Sequence, residues 1–236
     1  MIIIIHEMGH IITSLFYGWK IRKISIGIIG GYITYDEVID KPFKEEFLIS
    51  ISGFLSQLLF YTLFYILYKN NFISIKIFEM INRYNFSILL FNLIPIIPLD
   101  GSKILSIILN NFMSYKKTLK VLNFISIFLI ILIIFIFISC NLKIEYSYIM
   151  ILSFLFSNLI TSIKDIPYLF NKYLFERYMY PINSNKYIFI KGKKIEKMKR
   201  QKKHYFVIND RCYKEKDILT KKFGNFQTKC NFFENK

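Results

Sequence analysis

The chain has 236 residues and a formal net charge of +16, yet 54% of its residues are hydrophobic. This apolar share exceeds what the core of a soluble domain requires, so the composition argues against a soluble globular protein and favours a membrane protein. The three cysteines, Cys140, Cys212 and Cys230, are widely spaced and form no C-x-x-C pair, which argues against a disulfide framework or a cysteine-ligated metal site.

The first apolar segment, MIIIIHEMGHIITSLFYG, contains three ionisable side chains within a run of isoleucines. His6, Glu7 and His10 fit the pattern H-E-x-x-H. On a helix, residues four apart share a face, so both imidazoles can reach one zinc ion while Glu7 addresses a water molecule beside it. Two histidines packed in a core are the alternative, but polar groups inside an apolar span are costly and by default functional.

The start of the chain lies very close to this motif, because only five residues precede His6. No basic segment or cleavage site typical of a secretory signal peptide is present, so we expect the first helix to be retained. We also expect that a leading span is missing upstream of Met1, as in a fragment or a gene model with a late start.

Four further apolar runs follow the first helix. Three are long enough to cross a bilayer, whereas the second is too short to cross alone. Together with the first helix they predict an all-α polytopic membrane protein with about five transmembrane helices, in which residues 1–163 form the membrane-embedded core. The four runs are Phe47–Tyr68, Phe86–Ile97, Leu119–Cys140 and Tyr146–Ile163.

A catalytic zinc ion needs a third protein ligand besides two histidines, and Asp100 is the best candidate. The glutamates that follow the first helix lie in or beyond a basic loop, and the next histidine is His204. Pro95 and Pro98 break the short apolar run, and Gly101 permits a sharp backbone path that would turn the Asp100 carboxylate inward. A solvated aspartate in a surface turn is the alternative.

The polar tail, residues 164–236, has 19 Lys and Arg against 7 Asp and Glu. Placing this tail in the cytoplasm also places the basic connections 18–46 and 110–120 there, which agrees with the positive-inside rule. We therefore predict a multi-pass protein with a cytoplasmic C-terminal tail. The tail shows no recognition-helix pattern, so no nucleic-acid partner is expected.

Together, H-E-M-G-H in the first helix and N-L-I-P-I-I-P-L-D-G further along resemble the hallmark pair of the site-2 protease family of intramembrane zinc metalloproteases. The resemblance extends roughly from Ile2 to Ile163. It implies Zn²⁺ as the cofactor, with His6, His10 and Asp100 as its ligands and Glu7 as the general base.

The resemblance also implies groups that contact substrate. Asn92 matches the motif asparagine, which orients substrate or steadies the oxyanion. Gly30 and Gly31 open a segment that alternates like a short strand, and the family has a hairpin there whose edge can bind an extended substrate. An ordinary amphipathic hairpin is the alternative. Residues 50–57 resemble a small-residue helix motif, expected to pack closely against the catalytic helices, and the role of Gln57 stays open.

Within the family, the compact build and the basic tail resemble most the bacterial stage IV sporulation protease, which cleaves the precursor of sigma-K. This implies location in the bacterial cell membrane and a membrane-associated protein substrate, and it allows for inhibitory membrane partners. Residues 204–210 resemble one strand and turn of a CBS domain. The tail is too short for a CBS pair, which argues against regulation by nucleotide, and we expect His204 at the surface with no catalytic role.

The predicted function is hydrolysis of a peptide bond in or near the membrane segment of a protein substrate, with a sporulation sigma-factor precursor as one candidate. Two alternatives remain open. One is a catalytically inactive membrane scaffold or regulator with a vestigial site. The other is a channel or transporter with intramembrane histidines.

Overall fold

The computed structural model describes residues 1–26, 31–35, 39–140, 145–182, 184–209 and 211–234, with the backbone alone for 25–26, 31–33 and 225–234. It is mostly helical and divides into two compact units. Unit 1 comprises Met1–Glu37, Pro42–Ile108 and Leu122–Ser162. Unit 2 comprises Val38–Lys41, Leu109–Val121 and Ile163–Lys236.

The helices α1 to α6 account for most of the first 179 residues. They span Ile2–Phe16 (α1), Phe43–Lys69 (α2), Ile75–Leu93 (α3), Asp100–Phe112 (α4), Tyr115–Ser139 (α5) and Tyr146–Met179 (α6). Among the described residues, α2, α5 and α6 are long and apolar enough to cross a bilayer, and α1 is a shorter apolar helix. The protein is therefore a helical membrane protein, while the expected total of five spans stays a prediction.

Two stretches between the predicted apolar runs contain helix. The stretch 69–85, between the apolar runs Phe47–Tyr68 and Phe86–Ile97, is largely the beginning of α3, which starts at Ile75 rather than at Phe86. The segment Ile75–Asn85 mixes charged and apolar residues, so a search for uninterrupted apolar runs does not detect it. The predicted connection 110–120 is likewise short, because α4 continues to Phe112 and α5 begins at Tyr115.

A two-stranded sheet follows α1 in unit 1. Strand β1 (Ile21–Ile26) pairs antiparallel with β2 (Gly31–Tyr35), and Ile26 lies opposite Gly31. The core of this unit includes Ile96 and Leu99 from the chain before α4, together with side chains of α5 and α6: Ile130, Leu155 and Leu159. These residues fix the segment that leads into α4.

Unit 2 contains more strand than the all-α expectation allows. Strand β3 (Tyr187–Lys191) runs parallel to β4 (Lys203–Ile208), which pairs antiparallel with β5 (Arg211–Lys214), and α7 (Glu215–Glu234) follows. Phe206 of β4 and Leu219 of α7 are fully buried against Tyr173 and Leu174 of α6. The tail therefore folds around its own hydrophobic core, although the sequence pattern predicted only the strand at β4.

Candidate metal centre

The approach of α1 to α2 depends on two glycines. A Cβ added to Gly9 of α1 would lie 2.5 Å from the backbone oxygen of Ser52, so only glycine permits this spacing. A Cβ added to Gly53 of α2 would lie 2.5 Å from His10 Nε2 and 2.6 Å from His6 Cε1. Gly53 thus provides the space that the two imidazoles occupy, as expected of small residues at a helix interface in a membrane.

His6 and His10 lie one helical turn apart on the buried face of α1, with 2% and 3% of their surface exposed. His6 Nε2 lies 2.8 Å from Asp100 Oδ2, and His10 Nε2 lies 3.0 Å from the same oxygen. The two Nε2 atoms are 3.2 Å apart. Three potential ligand atoms from two helices therefore converge on one point.

The outer nitrogens of both rings are held by acceptors on α2. His6 Nδ1 donates to Gln57 Oε1 at 3.1 Å, and His10 Nδ1 donates to the backbone oxygen of Ile49 at 2.6 Å. Because an amide or backbone oxygen only accepts, these partners assign the ring proton to Nδ1 in both histidines. Each Nε2 then presents a lone pair towards Asp100.

The break between α3 and α4 brings Asp100 to this point. Helix α3 ends at Leu93, the two prolines interrupt the chain, and Asp100 is the first residue of α4. The backbone nitrogen of Ile97 inside the break donates to Ser126 Oγ at 3.1 Å. Lys103 Nζ lies 2.8 Å from Asp100 Oδ1, which leaves Oδ2 directed at the imidazoles.

The donor set fits zinc. Ligand atoms held about 2.0–2.1 Å from a tetrahedral zinc ion stand roughly 3.3 Å from one another, close to the 2.8–3.2 Å separations observed here. Imidazole nitrogens whose other ring nitrogen donates to an oxygen are the common form of zinc-binding histidine. His6, His10 and Asp100 would hold the ion and leave a fourth position open.

The predicted catalytic and substrate-binding residues lie on α1, at the end of α3 and at the start of β2, apart from one that lies outside the described residues. Glu7 is half-buried on α1, close enough to Lys103 for their charges to interact. Asn92 is half-buried in the last turn of α3. Gly31 opens β2, whereas Gly30 lies outside the described residues.

Two groups that orient the histidines were not assigned from the sequence. Gln57 is fully buried, and besides its contact with His6 it is linked to Asn85, whose Nδ2 donates to the Gln57 backbone oxygen at 3.2 Å. A polar side chain inside an apolar run was the available signal for Gln57. The Ile49 contact uses the main chain, so no residue type could have indicated it.

His204 is buried in unit 2, which corrects the expectation that it lies at the surface. Its exposed fraction is 1%. The backbone N–H of Lys199 donates to His204 Nε2 at 2.9 Å, so Nδ1 carries the ring proton and donates to Glu215 Oε2 at 3.1 Å. Arg177 pairs with the same glutamate and with Asp40. These contacts give His204 a structural role within unit 2.

The chain is similar in sequence to known peptidases. The family described as Peptidase family M50 matches residues 68–136, which include Asp100 and the break before it. Stage IV sporulation protein FB of Bacillus subtilis is 34% identical over 117 residues, covering 50% of this chain and 41% of that protein. A zinc metalloprotease of Methanocaldococcus jannaschii is 34% identical over 124 residues, covering 50% of this chain and 35% of that protein.

The matched part of these curated relatives is less than half of their length. A solved structure, the site-2 protease from Methanocaldococcus jannaschii, superposes with a TM-score of 0.54 at 26% identity. That match covers 68% of this chain and 73% of the solved one. The motifs, the helical fold and these similarities agree, and they relate the chain to peptidase family M50 and to the site-2 proteases.

Proposed function

We propose that the protein is a zinc-dependent intramembrane metalloendopeptidase, which hydrolyses a peptide bond in or near the membrane segment of a protein substrate. The observation that supports this most directly is the convergence of His6, His10 and Asp100. Two imidazole lone pairs and one carboxylate oxygen, all buried, would repel one another unless a cation or proton lay between them. Their donor types and tautomers favour zinc.

Glu7 is the proposed general base. When bound, zinc lowers the pKa of water towards about 7 and polarises a carbonyl group. Glu7 lies one residue beyond His6 on α1, so its carboxylate can accept the proton of the attacking water and deliver it to the leaving amine nitrogen. Asp100 completes the ligand set, and Lys103 holds the other oxygen of that carboxylate.

Substrate would be bound in an extended form. A helical substrate hides its carbonyl groups in internal hydrogen bonds, so its cleavage site must be unwound before attack. Strand β2, which begins at Gly31 and pairs with β1 along one edge, can offer its other edge to an extended segment. We propose that Gly30 and Gly31 form part of this substrate site and that Asn92 orients the peptide or stabilises the oxyanion.

The similarity to stage IV sporulation protein FB supports a finer proposal about the biological setting. The substrate would be a membrane-associated protein, with a sporulation sigma-factor precursor as the leading candidate. The protein would lie in the bacterial cell membrane with its basic tail, residues 164–236, in the cytoplasm. Inhibitory membrane partners would act on the same core, residues 1–163.

Substitution of the proposed base tests the function. We expect Glu7→Gln to retain zinc and to lower cleavage of a membrane-anchored sigma-factor precursor by about 10²–10⁴-fold, because the water loses its proton acceptor. Asp100→Ala should lose zinc as well. The measurements are bound zinc by elemental analysis and cleavage by the purified protein in lipid.

Glu79→Gln on α3 is the matched control, since Glu79 is exposed and outside the site. It should behave like the unsubstituted chain. Full cleavage by Glu7→Gln would contradict the assignment of the base. Zinc binding without cleavage of any membrane-anchored substrate would favour the inactive scaffold, and ion flux without metal-dependent proteolysis would favour a channel or transporter.

A further inference from the structure

Unit 2 contains a cavity of about 790 Å³ that neither the metal centre nor the proposed cleavage uses. Six lysines and a single glutamate line it, so its rim has a strong excess of positive charge. The lysines come from three separate parts of the unit, namely α5, the turn between β3 and β4, and α7. They are Lys116, Lys120, Lys193, Lys194, Lys197 and Lys222.

The floor of the cavity is apolar, in contrast to its rim. Residues of α6, including Ile166, Phe170 and Leu174, contribute to this floor. Lys116 Nζ lies 5.3 Å from the centroid of the Phe170 ring, and Lys222 Nζ donates to Asn171 Oδ1 at 2.8 Å. The ammonium groups are thus arranged around a hydrophobic surface rather than spread over an open face.

Only part of the positive charge is neutralised within the cavity. Lys116 forms an ion pair with Glu196, and this contact lowers the pKa of the Glu196 carboxyl below its usual value. Lys193, Lys194 and Lys197 are exposed. A ligand for this cavity must therefore supply negative charge to the rim and apolar surface to the floor.

The lining residues lie where two candidate spans meet polar sequence. Lys116 and Lys120 belong to the first two turns of α5, before its uninterrupted apolar run. The lining of α6 begins at Ile163, where the apolar run predicted from the sequence ends. Basic residues at the ends of spans are attracted to anionic lipid, and basic pockets beside such helices bind lipid headgroups.

We propose that this cavity binds the phosphate headgroup of an anionic phospholipid. The lysines of the rim would contact the phosphate oxygens, and the glycerol and upper acyl chain would cover the apolar floor. A soluble polyphosphate offers the same phosphate chemistry but has no apolar part for the floor, which is why we favour lipid. This inference does not rest on the proposed proteolytic function.

The test uses the full chain purified in a neutral detergent and titrated with dioctanoyl phosphatidylglycerol or dioctanoyl phosphatidylcholine, followed by native mass spectrometry. We expect saturable binding of the anionic lipid only. The combined substitutions Lys193→Gln, Lys194→Gln and Lys197→Gln should weaken this binding at least about tenfold, because each lysine beside an anionic headgroup contributes separately. All three residues are exposed, so the variant should fold.

A variant with Lys186→Gln, Lys214→Gln and Lys216→Gln is the matched control. It removes the same charge from exposed positions of the same unit that do not line the cavity, and it should bind within about twofold of the original. Equal losses of lipid binding in both variants would overturn the proposal, since the lipid would then be attracted by the overall positive charge of the unit and not by this cavity. Stronger binding of inorganic triphosphate or of a nucleoside triphosphate than of the lipid, lost in the first variant, would overturn the lipid as the source of the phosphate.

Discussion

At the scale of single residues, the candidate metal centre depends on the hydrogen bond that each imidazole makes through its Nδ1 atom. His6 and His10 receive their acceptors from one helix, but one acceptor is the amide side chain of Gln57 and the other is the main chain at Ile49. Such outer contacts set the tautomer and the ring orientation, and their loss lowers metal affinity about 10–100-fold in comparable sites.

Gln57→Leu is therefore expected to weaken zinc binding. Leucine has a similar volume, so packing should survive while His6 Nδ1 loses its acceptor. We expect the zinc dissociation constant, measured by competition with a chromophoric chelator, to rise about 10–100-fold. Ser56→Ala is the control, because Ser56 Oγ donates to the Gly53 backbone oxygen of its own helix and, among the described residues, forms no hydrogen bond with either imidazole. An unchanged dissociation constant in Gln57→Leu would show that Gln57 does not orient His6.

The sequence predicted which residues could meet at this centre, but not what orients them. The spacing of His6 and His10 and the proline-flanked Asp100 carry a strong signal, because these residue types are costly inside an apolar span. Gln57 gave a weaker signal, since one buried amide has many possible partners. The Ile49 oxygen gave none, because every residue has a backbone carbonyl.

At the scale of elements, the packing of α1 on α2 sets the position of both histidines. Gly9 and Gly53 lie on the facing surfaces, and each is in a position where an added Cβ would fall within 2.6 Å of the other helix. The two helices therefore approach as closely as their backbones allow. Lipid offers no hydrophobic driving force that would bring two helices together. In a membrane, close packing at small residues therefore stabilises a helix pair.

Gly53→Ala should displace the imidazoles. The new methyl group would overlap His10 Nε2 and His6 Cε1, so either the rings rotate or α1 moves away. We expect zinc binding to weaken at least about tenfold, by the same chelator competition. Thr62→Ala, on the exposed face of α2, is the control and should leave the zinc affinity unchanged. Normal affinity in Gly53→Ala would mean that the helices approach less closely than described.

Helices without a continuous apolar run were the hardest elements to predict. The beginning of α3 and the whole of α4 mix polar and apolar residues, and α4 has no charged or proline signal at its end. Their helical state depends on packing that the sequence pattern does not reveal. The sheet of unit 2 is similar, because β3 and β4 become a parallel pair only through a crossover that places them side by side.

At the scale of the whole molecule, the charged tail is a folded unit rather than a solvated extension. Its core is aromatic and aliphatic, and its buried charges are paired around Arg177. Burial alone would raise the pKa of Glu215, but hydrogen bonds from His204 and Arg177 outweigh this effect and lower the pKa below its ordinary value of 4.5.

This pKa shift predicts a pH dependence of the stability of unit 2. A carboxyl whose pKa is lowered by folding stabilises the protein above its unfolded pKa, and the contribution is lost as pH falls through the folded pKa. We expect Glu215→Gln to destabilise the protein on the order of 2 kcal/mol at pH 7, since Arg177 loses a charged partner. The variant should also lose part of the stability decrease that we expect below pH 4.5 in the unsubstituted chain.

Thermal unfolding followed by circular dichroism in detergent, from pH 3 to pH 7, measures both effects. Glu196→Gln serves as the control, because its ion pair with Lys116 is solvent-exposed at the glutamate and contributes little. An identical pH profile for Glu215→Gln and the unsubstituted chain would contradict the role given to this carboxyl.

The acceptor for His10 Nδ1 is a backbone oxygen, and this affects which residues of α2 can be substituted. Because the oxygen belongs to the peptide unit of residue 49, replacing the buried Ile49 by valine, leucine or methionine would leave the acceptor in place. At position 57 the acceptor disappears with the side chain. The acceptors of the two imidazoles therefore differ in how well they tolerate substitution. Within α2, position 49 should accept other apolar residues, whereas position 57 should keep a residue whose side chain accepts a hydrogen bond.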